Sequence, residues 1–111
     1  MRNARAIDAA FAALADPARR RAIELLSEEP RRAGDLAAAL GLPAPSMSRH
    51  LKALKEGGLV EEKLAEFDSR VRIYSIKSGA LDELKQWLAS TEDLWAARLS
   101  SFRAHVKNRR R

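Results

Sequence analysis

The 111-residue chain is predicted to fold as a mainly α domain with one small β-hairpin, an α+β arrangement. Four N-terminal helices, a two-stranded hairpin and a C-terminal helix or kinked helix pair are expected. Three observations carry this expectation. Apolar residues recur every three or four positions near both ends of the chain. Helix start and stop residues punctuate the N-terminal half. Two short runs, 59–64 and 71–76, flank the polar, charged tip "AEFDSR".

The elements follow in order. Ile7, Ala10, Phe11 and Leu14 stand at helical spacing and predict a first helix over 4–15. Asp16 before Pro17 restarts the chain, the acid as N-cap and the proline at the first helical position. The second helix is expected to bury Ala22, Ile23 and Leu26 and to end near 27, with Pro30 marking the loop. A third helix over 33–40 buries Leu36 and Leu40, and Gly41 supplies its left-handed cap. Leu42 and Pro43 then turn the chain into "PAPSMSRHLKALKEGGLV", residues 43–60.

Placed at 100° steps, Met47, Leu51 and Leu54 of that stretch fall within about 60° of one another and form a buried seam. Roughly opposite lie Pro45, Ser46, Ser48, Arg49, Lys52 and Ala53, a face of small residues and cations. Such a face can approach a ridged, negatively charged surface closely. Gly57 and Gly58 are expected to end the helix by a left-handed cap, with Leu59 as the apolar cap contact. The final helical segment, about 79–107, carries Leu81, Leu84, Leu88, Thr91, Trp95, Leu99, Phe102 and Val106 in one stripe. Ser90 with Asp93 has the form of an internal capping box, so one helix and a kinked pair are both open.

Composition bounds the function. The length predicts one domain, 1–111, and 46% hydrophobic residues with five Gly and four Pro fit a packed, helix-rich fold. Twenty-one Lys and Arg against 15 Asp and Glu leave a net charge of +6, which favours a polyanionic partner. No cysteine is present, which excludes disulfides, thiolate metal sites and thiol catalysis and suits a reducing cytoplasm. Apolar runs fall short of membrane-spanning length. The start "MRNARAIDAAFAALA" has the Arg and Ala content of a transit peptide, but Asp8 and Asp16 argue against one, and no signal peptide is expected.

Helices, tight turn, helix and charged hairpin make a winged helix-turn-helix. The runs "ALADPARRRAIELL", "DLAAALGLPAPSMSRHLKALKEGGLV" and "RVRIYSI" closely resemble the ArsR-type family of bacterial winged-helix transcriptional repressors, over about 11–99. The resemblance implies a homodimer on a partly palindromic operator, the helix-turn-helix at about 33–56, the wing at about 59–76 and dimerisation helices at about 4–15 and 79–107. It also implies that the 43–56 helix enters the major groove. Three departures stand out. The third helix reads "RRAGDLAAAL" and lacks the Cys pairs of metal-sensing relatives, so thiolate sensing is excluded. Pro43 and Ala44 stand where relatives often have Ser and Gln, removing a cap and a base-reading amide. Arg32 stands where a hydroxyl N-cap is common, so that end is expected to fray or to pair with phosphate.

In that context the face of Pro45, Ser46, Ser48, Arg49 and Lys52 is read as DNA-contacting, although in isolation it would pass for a solvated surface. His50, about 60° from the seam, is read as half-buried and donating to phosphate. Ser48 and His50 point some 160° apart, and Ser46 with His50 has no evident third group, so an enzyme is not expected. Arg70 and Arg72 share strand parity with Tyr74 and Ile76 and are placed near the tip, reaching phosphate or the minor groove.

Asp82, Glu83, Glu92, Asp93 and His105 have no ligand spacing and read as solvent face; no metal and no cofactor are expected. Phe11, Leu88, Trp95, Leu99 and Phe102 are assigned to dimerisation. The tail 107–111 either touches DNA or is disordered. Expected partners are double-stranded DNA, a second copy of the chain and, where regulation requires it, a small-molecule effector the sequence does not name; no membrane is expected. The rival function is a winged-helix interaction module, or one that coats nucleic acid without reading an operator.

Overall fold

The helix signals at Asp16 and Gly41 become local structure in the computed structural model, which describes residues 4–109. The elements run α1 (Ala4–Leu14), α2 (Pro17–Glu28), β1 (Arg31–Arg32), α3 (Ala33–Leu40), α4 (Ala44–Glu56), β2 (Val60–Leu64), β3 (Arg72–Ile76) and α5 (Asp82–Arg109). Asp16 Oδ1 accepts the backbone N–H of Ala18 at 2.8 Å and of Arg19 at 3.4 Å, with Pro17 at the first helical position. Helix α3 ends with Leu42 N–H on Ala37 O at 2.9 Å and Gly41 N–H on Ala38 O at 3.3 Å, Gly41 taking φ 66°. Those two bonds form a Schellman motif.

The end of α4 departs from expectation in one respect. Leu59 N–H reaches Leu54 O and Gly58 N–H reaches Lys55 O, both at 3.0 Å, so this too is a Schellman close. Only Gly58 is left-handed, at φ 74°; Gly57 is right-handed, at φ −76°. What Gly57 provides is space, because a Cβ there would lie 2.9 Å from Ala13 Cβ and 3.1 Å from Ala9 O. Helix α1 therefore crosses the end of α4 at backbone distance.

The core of the unit that ends at Ala80 is built from Ile7, Ala10 and Ala13 of α1, Ala22 and Leu26 of α2, Leu36 and Ala37 of α3, and Met47, Leu51 and Leu54 of α4, closed by Leu59 and Val60. The predicted seam of α4 is buried in full. Two flanking assignments shift, Ile23 and Leu40 being half-buried; on α1 Ala13 joins the core, Leu14 is half-buried and Phe11, assigned to dimerisation, is exposed. Alanines at the helix crossings allow close approach, so the bulkier neighbours sit at the margin.

The sheet has three strands among the described residues, not two, in the order β1-β3-β2 and antiparallel throughout. Arg31 pairs with Tyr74 and Arg32 with Ile73. The start of α3 is thus held by backbone pairing, where fraying or phosphate pairing was expected, although Arg32 makes no side-chain cap bond. Across the hairpin Val60 faces Ile76, Glu62 faces Tyr74 and Leu64 faces Arg72.

The second compact unit begins at Leu81 and consists of α5. It is a single helix, which settles the choice between one helix and a kinked pair. No Gly or Pro interrupts 81–109, and Thr91 Oγ1, next to Ser90, donates to Trp87 O at 2.8 Å within the helix. The helix starts at Asp82 and not at 79, because Ala80 N–H bonds Lys77 O in a preceding turn. Of the basic tail, Lys107 and Asn108 continue α5, and Arg110 and Arg111 lie outside the described residues.

Candidate nucleic-acid interface

Helix α4 begins after Pro43, which supplies no side-chain cap, and its first helical hydrogen bond runs from Met47 N–H to Pro43 O at 3.1 Å. Burial of Met47, Leu51 and Leu54 fixes the rotation of the helix, so the opposite stripe must face solvent. Pro45, Ser48, Arg49 and Lys52 are all exposed, and their spacing of i, i+3, i+4 and i+7 makes them one continuous ridge. Among the described residues neither Arg49 nor Lys52 enters an ion pair. Ser46, Ala53 and His50 line the flank of the helix and are half-buried, so Ser46 stands beside the ridge and not on it.

His50 is tied to α2. Arg19 Nε donates to His50 Nδ1 at 3.1 Å. An arginine can only donate, so Nδ1 accepts and the ring proton sits on Nε2, which leaves a donor for an oxyanion. Asp16 lies close by. Burial pushes its carboxyl up, but the backbone N–H groups of Ala18 and Arg19 outweigh this, with the nearby Arg19 charge adding to them, and the net shift is downward. A shallow cleft lined by Asp16, Pro17, Arg21, Leu40, Leu42 and His50 opens beside this bond.

The hairpin positions its arginines differently from the helix. Arg70 belongs to the turn before β3, not to the strand; Ala65 N–H on Val71 O at 2.8 Å and Val71 N–H on Asp68 O at 3.0 Å close that turn. Its guanidinium forks onto Asp68, Nε to Oδ1 at 3.2 Å and Nη2 to Oδ2 at 3.2 Å, while its backbone N–H reaches Oδ1 at 2.9 Å. The Arg70 bonds hold the Asp68 carboxyl below its usual range, against a smaller rise from burial. Arg32 sits 5.4 Å from the ring centre of Phe67 at the hairpin tip, a cation–π contact.

Arg72, on β3, meets a carboxylate as well. Its Nη1 lies 3.2 Å from Glu62 Oε1, and the same oxygen accepts Lys55 Nζ of α4 at 2.6 Å. The Tyr74 hydroxyl donates to Glu62 too. The Lys55 and Tyr74 hydrogen bonds, with a smaller contribution from Arg72, outweigh burial and hold the Glu62 pKa at about 2. Burial and the Glu62 charge push Tyr74 up. The structure therefore brings together Lys55, Glu62, Arg72 and Tyr74, of which only Arg72 was singled out from sequence.

Arg19 was also missed. The sequence signal for Glu62, an acid on the strand paired with the Arg-bearing one, becomes usable only once the hairpin register sets it opposite Tyr74 and diagonal to Arg72.

On α5, Leu88, Leu94, Trp95 and Phe102 are exposed and Leu99 is half-buried; on α1, Phe11 is exposed. Asp82, Glu92, Asp93 and His105 are exposed and Glu83 is half-buried. Among the described residues no three His, Cys, Asp or Glu side chains gather where they could hold a metal ion. No helix there is long and apolar enough to cross a membrane.

A family model described as bacterial regulatory protein, arsR family, matches residues 16–62, the span from the α2 cap into the wing. The HTH-type transcriptional regulator Rv2034 of Mycobacterium tuberculosis is 33% identical over 102 residues, 92% of this chain and 90% of that protein. The transcriptional repressor SdpR of Bacillus subtilis is 30% identical over 78 residues, 70% of this chain and 83% of that one. Among solved structures, the homodimeric winged helix-turn-helix DNA-binding domain Mb0332 of Mycobacterium bovis superimposes with a TM-score of 0.62 at 27% identity, over 80% of this chain and 82% of that one.

Proposed function

Because the chain belongs to the arsR family of bacterial regulatory proteins, a class of DNA-binding transcriptional regulators and not of enzymes, we propose that it is a homodimeric repressor of a partly palindromic operator. One observation carries the reading: the exposed ridge of Pro45, Ser48, Arg49 and Lys52, whose cations enter no ion pair among the described residues. Helix α4 enters the major groove with this ridge foremost. Arg49 donates to the O6 and N7 of a guanine, Ser48 and Lys52 bond bases or phosphate, and Pro45 permits close approach. Ser46 and His50, on the flank, meet the phosphate wall.

The β2–β3 hairpin is the wing, with Arg70 and Arg72 directed at phosphate or the minor groove. A guanidinium has five N–H donors, so a carboxylate partner within the chain does not exhaust it. Phe11, Leu88, Trp95, Leu99 and Phe102 form the dimer contact, which sets two recognition helices roughly 34 Å apart, one turn of DNA. The homodimeric state of Mb0332 and the repressor role of SdpR support these assignments by kinship. Repression follows from covering a promoter, in the cytoplasm.

Selecting bound fragments from the source genome tests this. A recurrent, partly palindromic site is expected, and Arg49→Ala is expected to weaken that site by about 1 to 3 kcal/mol more than scrambled duplex. Equal affinity for all fragments would instead favour a module that coats nucleic acid without reading it.

A further inference from the structure

The cations of this surface fall into two groups. Arg49 and Lys52 are in no ion pair among the described residues, whereas Lys55, at the far end of the same helix, and Arg72, on the wing, are both drawn to Glu62 Oε1 at 2.6 and 3.2 Å. The Glu62 side chain is only 19% exposed, while Lys55 and Arg72 are 52% and 63% exposed. The acid is thus set into the helix–wing corner and the cations rise from it toward solvent. Resting on the operator-binding reading above, we propose that Glu62 is a specificity-determining positioning residue. By sharing one oxygen between α4 and the wing, it withholds Lys55 and Arg72 from arbitrary duplex and commits them only when helix and wing are seated together.

The physical argument is a competition. Loose binding to any duplex is driven by cations that neutralise phosphates and release counterions. A phosphate that takes Lys55 or Arg72 outright leaves a half-buried carboxylate with one cation fewer, a cost that a loosely docked duplex does not repay. On a seated operator the remaining contacts are already made, and the other N–H groups of Arg72 can reach phosphate while Nη1 keeps Glu62. Tyr74 pairs with Glu62 from the strand opposite, and its hydroxyl helps to keep the same carboxylate charged. Because the pKa of Glu62 is about 2, the carboxylate is charged at any pH at which the protein would meet DNA.

The test measures affinity for operator and scrambled duplexes across a salt series, with wild type, Glu62→Gln and Glu56→Gln. Glu56 lies on the last turn of α4, is exposed, and enters no ion pair among the described residues, so it reports the general effect of removing one negative charge. Glu62→Gln is expected to steepen the scrambled-duplex salt slope by about one to two as Lys55 and Arg72 are released, and to lower the operator-to-scrambled ratio by roughly threefold or more. Glu56→Gln is expected to leave that ratio alone. A Glu62→Gln variant that behaves like Glu56→Gln overturns the proposal.

Where circular dichroism shows Glu62→Gln unfolded, Lys55→Gln gives the second measurement. It leaves the scrambled-duplex slope unchanged if Lys55 is withheld, and a slope lower by about one overturns the proposal. A wild type without preference for any fragment sinks the operator reading and this proposal together. A wild type that prefers its operator, beside an ineffective Glu62→Gln, sinks this proposal alone.

Discussion

Glu62 also governs how the protein should respond to acid. Its pKa is depressed from 4.5 to about 2 in the folded state, chiefly by Lys55 and Tyr74. A carboxyl depressed in this way stabilises the fold fully above the unfolded value, and the contribution disappears as pH falls from about 4.5 toward 2. Lys55 and Arg72 are more than half exposed, so solvent screening holds the contribution to the order of 1 kcal/mol. Glu62→Gln is therefore expected to melt at a lower temperature than wild type at neutral pH, and the gap should narrow steadily between pH 4.5 and 2. Thermal melts at several pH values check this, and a gap independent of pH would remove the ion pairs from the account of stability. Asp16 and Asp68, whose pKa values are lowered as well, titrate in both proteins and leave the difference intact.

Among the elements, the junction of α1 with the end of α4 is the most sharply constrained. Gly57 has an ordinary right-handed backbone, so an alanine there meets no conformational penalty; its Cβ would instead strike Ala13 Cβ at 2.9 Å and Ala9 O at 3.1 Å. Backbone cannot yield as a flexible side chain can, so α1 must move. Gly57→Ala is expected to cost about 1–3 kcal/mol in urea unfolding through this overpacking. Adding Ala13→Gly should recover part of the loss by removing the nearest atom. Gly58→Ala should cost about 1 kcal/mol for a different reason, its left-handed φ of 74°, and Ala13→Gly should not rescue it. Equal rescue of both glycine variants would mean that the close approach of α1 is not the cause.

At the scale of the whole molecule, the exposed aromatic residues on α5 decide the assembly prediction. Trp95 is 62% and Phe102 64% exposed, and they stand seven residues apart on one helix, so glutamate at both positions removes little that a lone chain buries. Trp95→Glu with Phe102→Glu is expected to leave helix content unchanged, to give monomers in sedimentation at concentrations where wild type is dimeric, and to weaken operator binding by tenfold or more, about 1.4 kcal/mol. A dimer that persists in this variant would place the interface elsewhere on the surface.

Patterns confined to one element were legible in the sequence. The Asp16-Pro17 start, the Gly41 stop and the Met47, Leu51 and Leu54 seam rest on helical geometry and backbone hydrogen bonding within a few residues, and each is realised. The seam alone fixes which side of α4 can face a partner, so Arg49 and Lys52 could be placed on the outer face before any contact was known. Features that join distant segments were not legible. A two-residue strand of arginines has no periodicity to announce it, and β1 exists only because β3 offers an edge to pair with. The kink that Ser90 and Asp93 suggested is absent: 82–109 runs on as one helix with no Gly or Pro to break it, a choice the capping-box pattern by itself leaves undecided. Glu62, Lys55 and Arg19 gain their roles from register and helix crossing: hydrogen bonds and ion pairs act over about 3 Å, and only the tertiary fold brings those side chains so close.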